Sequence, residues 1–301
     1  MRRRSLLSIL LSIFLIGECA GMLALLSISA AGQQVSKVVA FPLKAKSVRF
    51  AAFGDNGTGG QEQYDVAQQM VRQRVMFPFD FVLMLGDNIY GSDTAADFRR
   101  KFEDPYKPML DAGVKFYASL GNHDNPNQRL YKPFNMDGKR YYSFRKENVE
   151  FFALDSTYMD PVQLAWVEKQ LSASTAEWKI CYFHHPLYSD GKFHGPDRDL
   201  RARLEPILTK AGVSVVLSGH EHFYERLKPQ QGIYHFIIGN GGQLRYRDLK
   251  PSQDIAKGFD TDRGFALFEV SGDELYFQAL SRTGEIMDSG MIQRAAAPKA
   301  P

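Results

Sequence analysis

Phe81-Val-Leu-Met-Leu-Gly-Asp-Asn-Ile-Tyr90 is the stretch from which the rest of this chain is read. Phe81 to Leu85 is too short for a helix and rich in strand-forming residues, so it reads as a buried strand. The run stops at Gly86 and then presents Asp87 and, three residues on, Tyr90. In α/β proteins the carboxyl ends of strands are where sites form. A carboxylate and a phenol delivered together are oxygen donors that can carry negative charge, which suits a hard, highly charged cation. The stretch therefore predicts a metallohydrolase.

The same grammar recurs along the chain. Lys46 to Phe53 reads as a strand leading through Gly54 to Asp55, followed by the flexible loop Asn56-Gly-Thr-Gly-Gly60. Tyr64 to Arg74 has helical spacing, ended by Phe77-Pro78, and with its flanking strands makes a βαβ unit. Ala95 to Phe102 reads as a surface helix, and Lys115 to Leu120 as a strand that stops at Gly121 before Asn122-His123-Asp124. Arg140 to Phe144 and Val149 to Leu154 form a predicted hairpin about Arg145-Lys-Glu-Asn148, and Pro161 to Leu171 an amphipathic helix. Asp155 is assigned to a turn or cap. Trp178 to Phe183 is a strand ending in His184-His185-Pro186, with a loop through Phe193-His194-Gly-Pro196 and a helix from Arg198 to Ala211. Val213 to Leu217 leads to Gly219-His220-Glu221-His222, and Tyr234 to Ile238, Phe265 to Val270 and Glu274 to Leu280 supply closing strands. The expected architecture is α/β, a four-layer α/β/β/α sandwich of two mixed sheets flanked by helices.

A lone Asp after a strand is usually a turn former, and a lone His a satisfied polar or surface residue. Recurrence outweighs that reading here. Five strands end in Asp, Asn or His, and strand ends within one sheet converge in space.

Gly54-Asp55, Gly86-Asp87-Asn-Ile-Tyr90, Gly121-Asn122-His123-Asp124, His184 before His185-Pro186, and Gly219-His220-Glu-His222 resemble the ordered motifs of calcineurin-like metallophosphoesterases, over roughly Val48 to Phe277. Within that superfamily they resemble the small purple acid phosphatases of the tartrate-resistant type. Most metallophosphoesterases carry Asp-x-His at the first motif, whereas this chain has Asp55-Asn56-Gly57, and Tyr90 stands where purple acid phosphatases supply a tyrosinate. Loss and replacement occur together.

The resemblance implies that Asp55, Tyr90 and His222 bind one iron, that Asp87 bridges two metals, and that Asn122, His184 and His220 complete the second site. Three anionic donors at the first site favour a trivalent ion and neutral donors at the second a divalent one, so Fe(III) with Fe(II), Zn(II) or Mn(II) is expected. The implied activity is that of an acid phosphatase hydrolysing phosphomonoesters by a metal-held hydroxide. Such a pair clamps the phosphate and lowers the pKa of bound water, the more so with a trivalent ion, which makes an acid optimum coherent. His123 is placed to protonate the leaving group, and His194 matches a family histidine near the substrate. His185 and His235 are assigned to structure, Glu221 to an outward orientation, and Gly239-Asn-Gly-Gly242 to a tight turn in preference to a backbone border of the pocket. Asp124 stands where plant enzymes commonly have glutamate.

With 301 residues and 44% hydrophobic content the chain can build one large core, and no linker or repeat divides it. Met1-Arg-Arg-Arg, the apolar Leu6 to Ile16 and the small residues Ser29-Ala-Ala-Gly32 read as an export signal over residues 1–31, with a weak twin-arginine pattern at Arg3-Arg4-Ser5-Leu6-Leu7. An uncleaved anchor is the alternative, against which Glu18 at mid-span would cost roughly 2.5–3.5 kcal/mol. Cys19 fails as a lipoprotein site because Glu18 precedes it. Residues 32–46 then form a linker, 47–290 the catalytic domain and 291–301 a flexible tail, and the protein is expected to be secreted or periplasmic. Beyond the leader only Cys181 remains, so the mature chain has no internal disulfide. Two of the three net positive charges belong to residues 1–31, leaving no nucleic-acid footprint. Phosphorylated small molecules are the expected partners, for a monomer that meets a membrane only through an uncleaved leader. A phosphodiesterase or nucleotidase on the same centre is the neighbouring alternative, and an inactive binding module on this scaffold the distant one.

Overall fold

The computed structural model describes residues 38–294, so the leader and the last seven residues lie outside the described part. Strand β1 (Val48–Phe53), helix α1 (Gln61–Met76) and strand β2 (Phe81–Leu85) form the predicted βαβ unit, with β1 and β2 parallel. Helix α1 runs further at both ends than its apolar spacing suggests. Where one surface helix was expected, α2 (Ala95–Phe98) passes through a wider π turn at Arg99–Glu103 into α3 (Asp104–Asp111). A capping box of Thr94 and Asp97 starts this segment. Strand β3 (Lys115–Ser119) follows, then the hairpin of β4 (Tyr142–Lys146) and β5 (Val149–Ala153), tighter than predicted because Arg145 and Lys146 stay in the ladder.

Helix α4 (Pro161–Ala173), β6 (Trp178–Phe183), α5 (Arg198–Lys210) and β7 (Val215–Ser218) complete the alternating part. The closing region holds β8 (Tyr224–Leu227), β9 (Tyr234–Ile238), β10 (Ile255–Phe259), β11 (Gly264–Ser271), β12 (Glu274–Ser281) and β13 (Ile286–Gln293). Three of these, β8, β10 and β13, are absent from the sequence reading. Strands β8 and β10 are short, and β13, with Asp288, Ser289 and Gly290 at its centre, lacks an apolar run.

Two mixed sheets result. One has six strands in the order β13-β12-β11-β1-β2-β3, the other seven in the order β10-β8-β9-β7-β6-β5-β4. A layer of aromatic rings joins them: Phe50 and Phe81 of the first sheet meet Phe151 of the second edge-on at 5.2 and 5.3 Å, and Phe268 meets Phe236 at 5.4 Å. The outer face of the second sheet, with Phe152, Cys181, Phe183 and Val216, is buried with Val167 and Leu171 of α4 and Leu200, Leu204 and Leu208 of α5. The α/β/β/α sandwich is thus as expected, but one expectation needs correcting. The ligand-bearing strand ends do not belong to one sheet: β1, β2 and β3 lie in the first, β6 and β7 in the second. Within each sheet these strands run parallel, so their carboxyl ends share an edge.

Candidate metal centre

All nine residues singled out from the sequence gather at that edge. Asp55, Asp87 and His222 bring three ligand atoms within 4.8 Å of one another, as do His184, His185 and His220. In the first group the Tyr90 hydroxyl lies 3.1 Å from Asp55 Oδ1 and 3.3 Å from His222 Nε2, and His222 Nε2 lies 3.4 Å from the same carboxylate oxygen. In the second, His184 Nε2 is 2.9 Å from Asn122 Oδ1 and 3.1 Å from His220 Nδ1. Asp87 stands between them, its Oδ1 3.4 Å from His184 Nε2 while it also belongs to the first group.

The backbone around these residues is built for them. Asp55, Asp87 and His220 have φ of 56°, 52° and 69°, in the left-handed region that non-glycine residues enter at a cost. The glycines before the candidate donors Asn122 and His220 permit close approach: a Cβ on Gly121 would sit 2.2 Å from Asp87 Oδ1, and one on Gly219 2.5 Å from Asp55 Oδ2. The amides of His220 and His123 donate to Asp55 Oδ2 and Asp87 Oδ1 at 2.8 and 2.9 Å, which orients both carboxylates. His184 Nδ1 donates to the Leu85 carbonyl at 3.0 Å, leaving its Nε2 lone pair for the centre.

The electrostatics favour a cation. Burial, and then the neighbouring Asp87 charge, push the Asp55 carboxyl well above the usual range. Burial followed by Asp55 and Asp87 pushes the Tyr90 phenol up strongly. Burial, reinforced by adjacent imidazoles, pushes His184 and His220 well down, and burial with the Arg245 charge pushes His222 down to about 4. A set of crowded acidic oxygens beside imidazoles held neutral is the protonation pattern of a metal site. The donors present therefore fit two metal ions.

Asn122, His123 and His194 are exposed at the mouth. His123 packs against the Tyr90 ring with centroids 5.1 Å apart, and His194 lies 4.2 Å from the His220 ring. Burial, then Arg245, lowers His194 to about 4. Asp124 is buried beneath, accepting from the amides of Gly121 and Ile89 and from Asn88, so that it ties the loops after β2 and β3 together. Asp155 holds a turn through the amides of Thr157 and Tyr158 and pairs with Arg140, as assigned. His235 is buried against Tyr188, also as assigned.

Two assignments change. Glu221 does not point outward: it is fully buried and accepts from the Gly195 amide at 2.5 Å and from Ser189. The left-handed turn at His220 redirects the chain, so the outward alternation expected between two inward histidines does not hold. Gly239 to Gly242 is more than a turn, since Gly241 donates to the Gly54 carbonyl and Gln243 to the Asp55 carbonyl, and a Gly239 Cβ would fall 2.7 Å from Asp55 Oδ2. Strand β9 runs parallel to β7, which delivers this loop to the same edge. His185 also lies closer than a scaffold role required, 4.4 Å from the His220 ring, while its Nδ1 is engaged with Ser156 Oγ at 2.9 Å.

Two mixed sheets under outer helices, with acidic and imidazole donors at the shared end of their parallel strands, define a metallophosphoesterase scaffold. The chain belongs to the calcineurin-like phosphoesterase family, whose pattern it matches over residues 48–224. It is 24% identical to the tartrate-resistant acid phosphatase type 5 of Rattus norvegicus, across 84% of this chain and 93% of that protein. Among solved structures it resembles GAP50, the anchor in the inner membrane complex of Plasmodium, with a TM-score of 0.74 at 20% identity over 83% of this chain and 90% of that one. It also resembles a purple acid phosphatase from yellow lupin seeds, with a TM-score of 0.70 at 19% identity over 84% of this chain and 55% of that one.

Proposed function

We propose that this protein is an exported acid phosphatase that hydrolyses phosphomonoesters at a dinuclear Fe(III)–M(II) centre, M being iron, zinc or manganese. The observation that supports it most is the pairing of Asp55-Asn56-Gly57 with Tyr90, whose hydroxyl lies within 3.3 Å of both Asp55 and His222. Asp55, Tyr90 and His222 would hold the first ion, Asn122, His184 and His220 the second, and Asp87 both. When bound, such a pair supplies Lewis acidity toward the phosphoryl oxygens and a water of lowered pKa. The chain supplies orientation and protons. Amide donors from His123 and His220 fix the two carboxylates, and the Leu85 carbonyl fixes the His184 tautomer. His123, exposed at the mouth, donates its ring proton to the departing alkoxide. His194, neutral above about pH 4, positions the phosphate through a ring N–H. The leader reading implies export, and among the described residues no helix is long and apolar enough to cross a membrane.

The same scaffold serves an anchor protein in Plasmodium, so fold alone does not imply catalysis. Hydrolysis of a phosphomonoester and a phosphodiester, measured side by side from acid to neutral pH with metal content determined on the same sample, tests the reading. Preference for the monoester at acid pH with two metals per chain supports it. A metal-free, inert protein would overturn it, and a diester preference would replace monoesterase by diesterase action.

A further inference from the structure

We propose that Lys101 is a positioning residue for Tyr90: it grips the backbone of the loop that carries the phenol and so sets where the phenol oxygen stands relative to Asp55 and His222. The inference rests on the phosphatase reading above, in which Tyr90 holds the first ion. Among the described residues Lys101 is the one lysine or arginine that is buried, at 4% exposure. A lysine is retained in such a place only where its charge is engaged. Its Nζ donates to the Tyr90 carbonyl at 2.6 Å and to the Ser92 carbonyl at 2.9 Å, and pairs with Asp97 Oδ1 at 2.8 Å. Three acceptors take up the three donors of the ammonium, and two of them lie on the backbone of the Tyr90 loop.

The wider π turn puts the lysine there. Of its three consecutive basic residues, Arg99 and Arg100 are exposed and Lys101 faces inward beside Phe102. Such turns occur frequently at functional sites. The backbone of Lys101 is fixed in its turn: its carbonyl accepts from Gln63 Nε2 at 2.6 Å, and Gln63 Oε1 accepts from the Gly59 amide at 2.7 Å. Gln63 is itself fully buried, and a Cβ on Gly59 would fall 3.1 Å from Lys101 Cγ, so the lysine stem packs against the loop after Asp55. The Tyr90 amide donates to the Gly57 carbonyl at 2.9 Å. The loop after Asp55 and the loop that carries Tyr90 are therefore joined twice, once directly and once through Gln63 and Lys101. Gly91, at φ 73°, lies between the two carbonyls that Lys101 holds. Without the ammonium this permissive residue is released, and the Tyr90 backbone keeps its amide bond alone.

Lys101→Met keeps the stem and removes the ammonium. Thr94→Ala is the control, because it breaks the capping box of the same helical segment and leaves all three Lys101 acceptors in place. In oxidised, iron-loaded protein we expect Lys101→Met to shift the phenolate-to-iron band and to weaken Fe(III) retention against a chelator about 10- to 100-fold, as for loss of a hydrogen bond to a charged group. Thr94→Ala should lower Tm yet keep the wild-type band and retention. In a Tyr90→Phe background Lys101→Met should cost no further retention, since the lysine acts through Tyr90. An unmoved band, the same shift in Thr94→Ala, or an equal loss with and without the phenol would overturn the proposal. Where Lys101→Met does not fold, Lys101→Arg decides on the same readouts: its longer, planar head misplaces the two carbonyls, so an intermediate shift supports the role and a wild-type band refutes it. A wild-type protein that takes up iron without a phenolate band, or takes up none, would remove the reading of Tyr90 as a ligand, and hydrogen exchange of the metal-free proteins then judges Lys101. The Tyr90 amide should exchange about 10-fold or more faster in Lys101→Met than in wild type or Thr94→Ala, and equal exchange refutes the role.

Discussion

Replacing Tyr90 by Phe removes one oxygen from the centre and keeps the ring that packs against His123. In the metal-free protein that oxygen has two neighbours. The hydroxyl donates to Asp55 Oδ1, and the His222 nitrogen stands 3.3 Å from it. Asp55 keeps its other donor, the His220 amide, so the loss is one hydrogen bond to a carboxyl held well above its usual range, about 0.5–1.5 kcal/mol, partly offset because a phenol no longer has to be desolvated. A net cost of about 0.5–1 kcal/mol corresponds to a fall in Tm of roughly 1–4 °C for a domain of this size. With iron bound the consequence is larger. Burial and the Asp55 and Asp87 charges hold the phenol protonated in the absence of metal, so Fe(III) uptake must expel its proton to gain a phenolate donor. Loading wild-type protein at neutral pH should therefore release one more proton than loading Tyr90→Phe, and only the wild type should show a phenolate-to-iron absorption band in the visible. Titration in weak buffer and the visible spectrum of both proteins measure this. An oxidised, iron-loaded Tyr90→Phe that keeps the wild-type band, or an identical proton release, would refute the assignment and leave Tyr90 a packed aromatic beside Asp87.

Purified protein is expected to hold two metals per chain, at least one of them iron; elemental analysis finding one metal at full activity would contradict that. His123→Ala should retain both metals and lose about 10²–10⁴-fold in kcat on alkyl phosphates but much less on activated aryl phosphates; equal losses would make His123 a phosphate-positioning residue. Glu225 is buried with one unpartnered oxygen, and burial, its first cause, raises its carboxyl to about 8. Its folded pKa lies above the unfolded one, so stability is greatest below the ordinary glutamate range and is lost as pH rises toward 8. Glu225→Gln should accordingly raise Tm at pH 8 by roughly 5 °C or more and change it little near pH 4, as differential scanning calorimetry would show. His235 behaves oppositely, since burial lowers it to about 3, and stability present above the ordinary histidine value falls with pH below it by about 1.4 kcal/mol per unit. His235→Gln should remove that slope between pH 6 and 4 in urea unfolding, and an unchanged slope would exclude the residue as its source.

The clustering of the candidate donors was legible in sequence because each motif is local. An apolar run fixes a strand, and a glycine and a polar residue at its end fix a candidate donor, as at Leu85-Gly86-Asp87 and Leu120-Gly121-Asn122. The glycines are demanded by contacts as short as the 2.2 Å between a Gly121 Cβ and Asp87, so the pattern carries the packing with it. Other features have no local signature. Whether the donors sit in one sheet or two depends on strand pairings such as β1 with β11, whose partners are more than two hundred residues apart. Glu221 turns inward because His220 takes a left-handed backbone and the Gly195 loop offers an amide to the carboxylate. The Gly239 loop borders Asp55 because β9 pairs parallel to β7, and Arg245 reaches His222 because the chain returns across the strand ends after β9. Alternation and turn chemistry specify which residues can be donors; the pairing of distant strands, set by burial of both sheet faces, decides which others stand beside them.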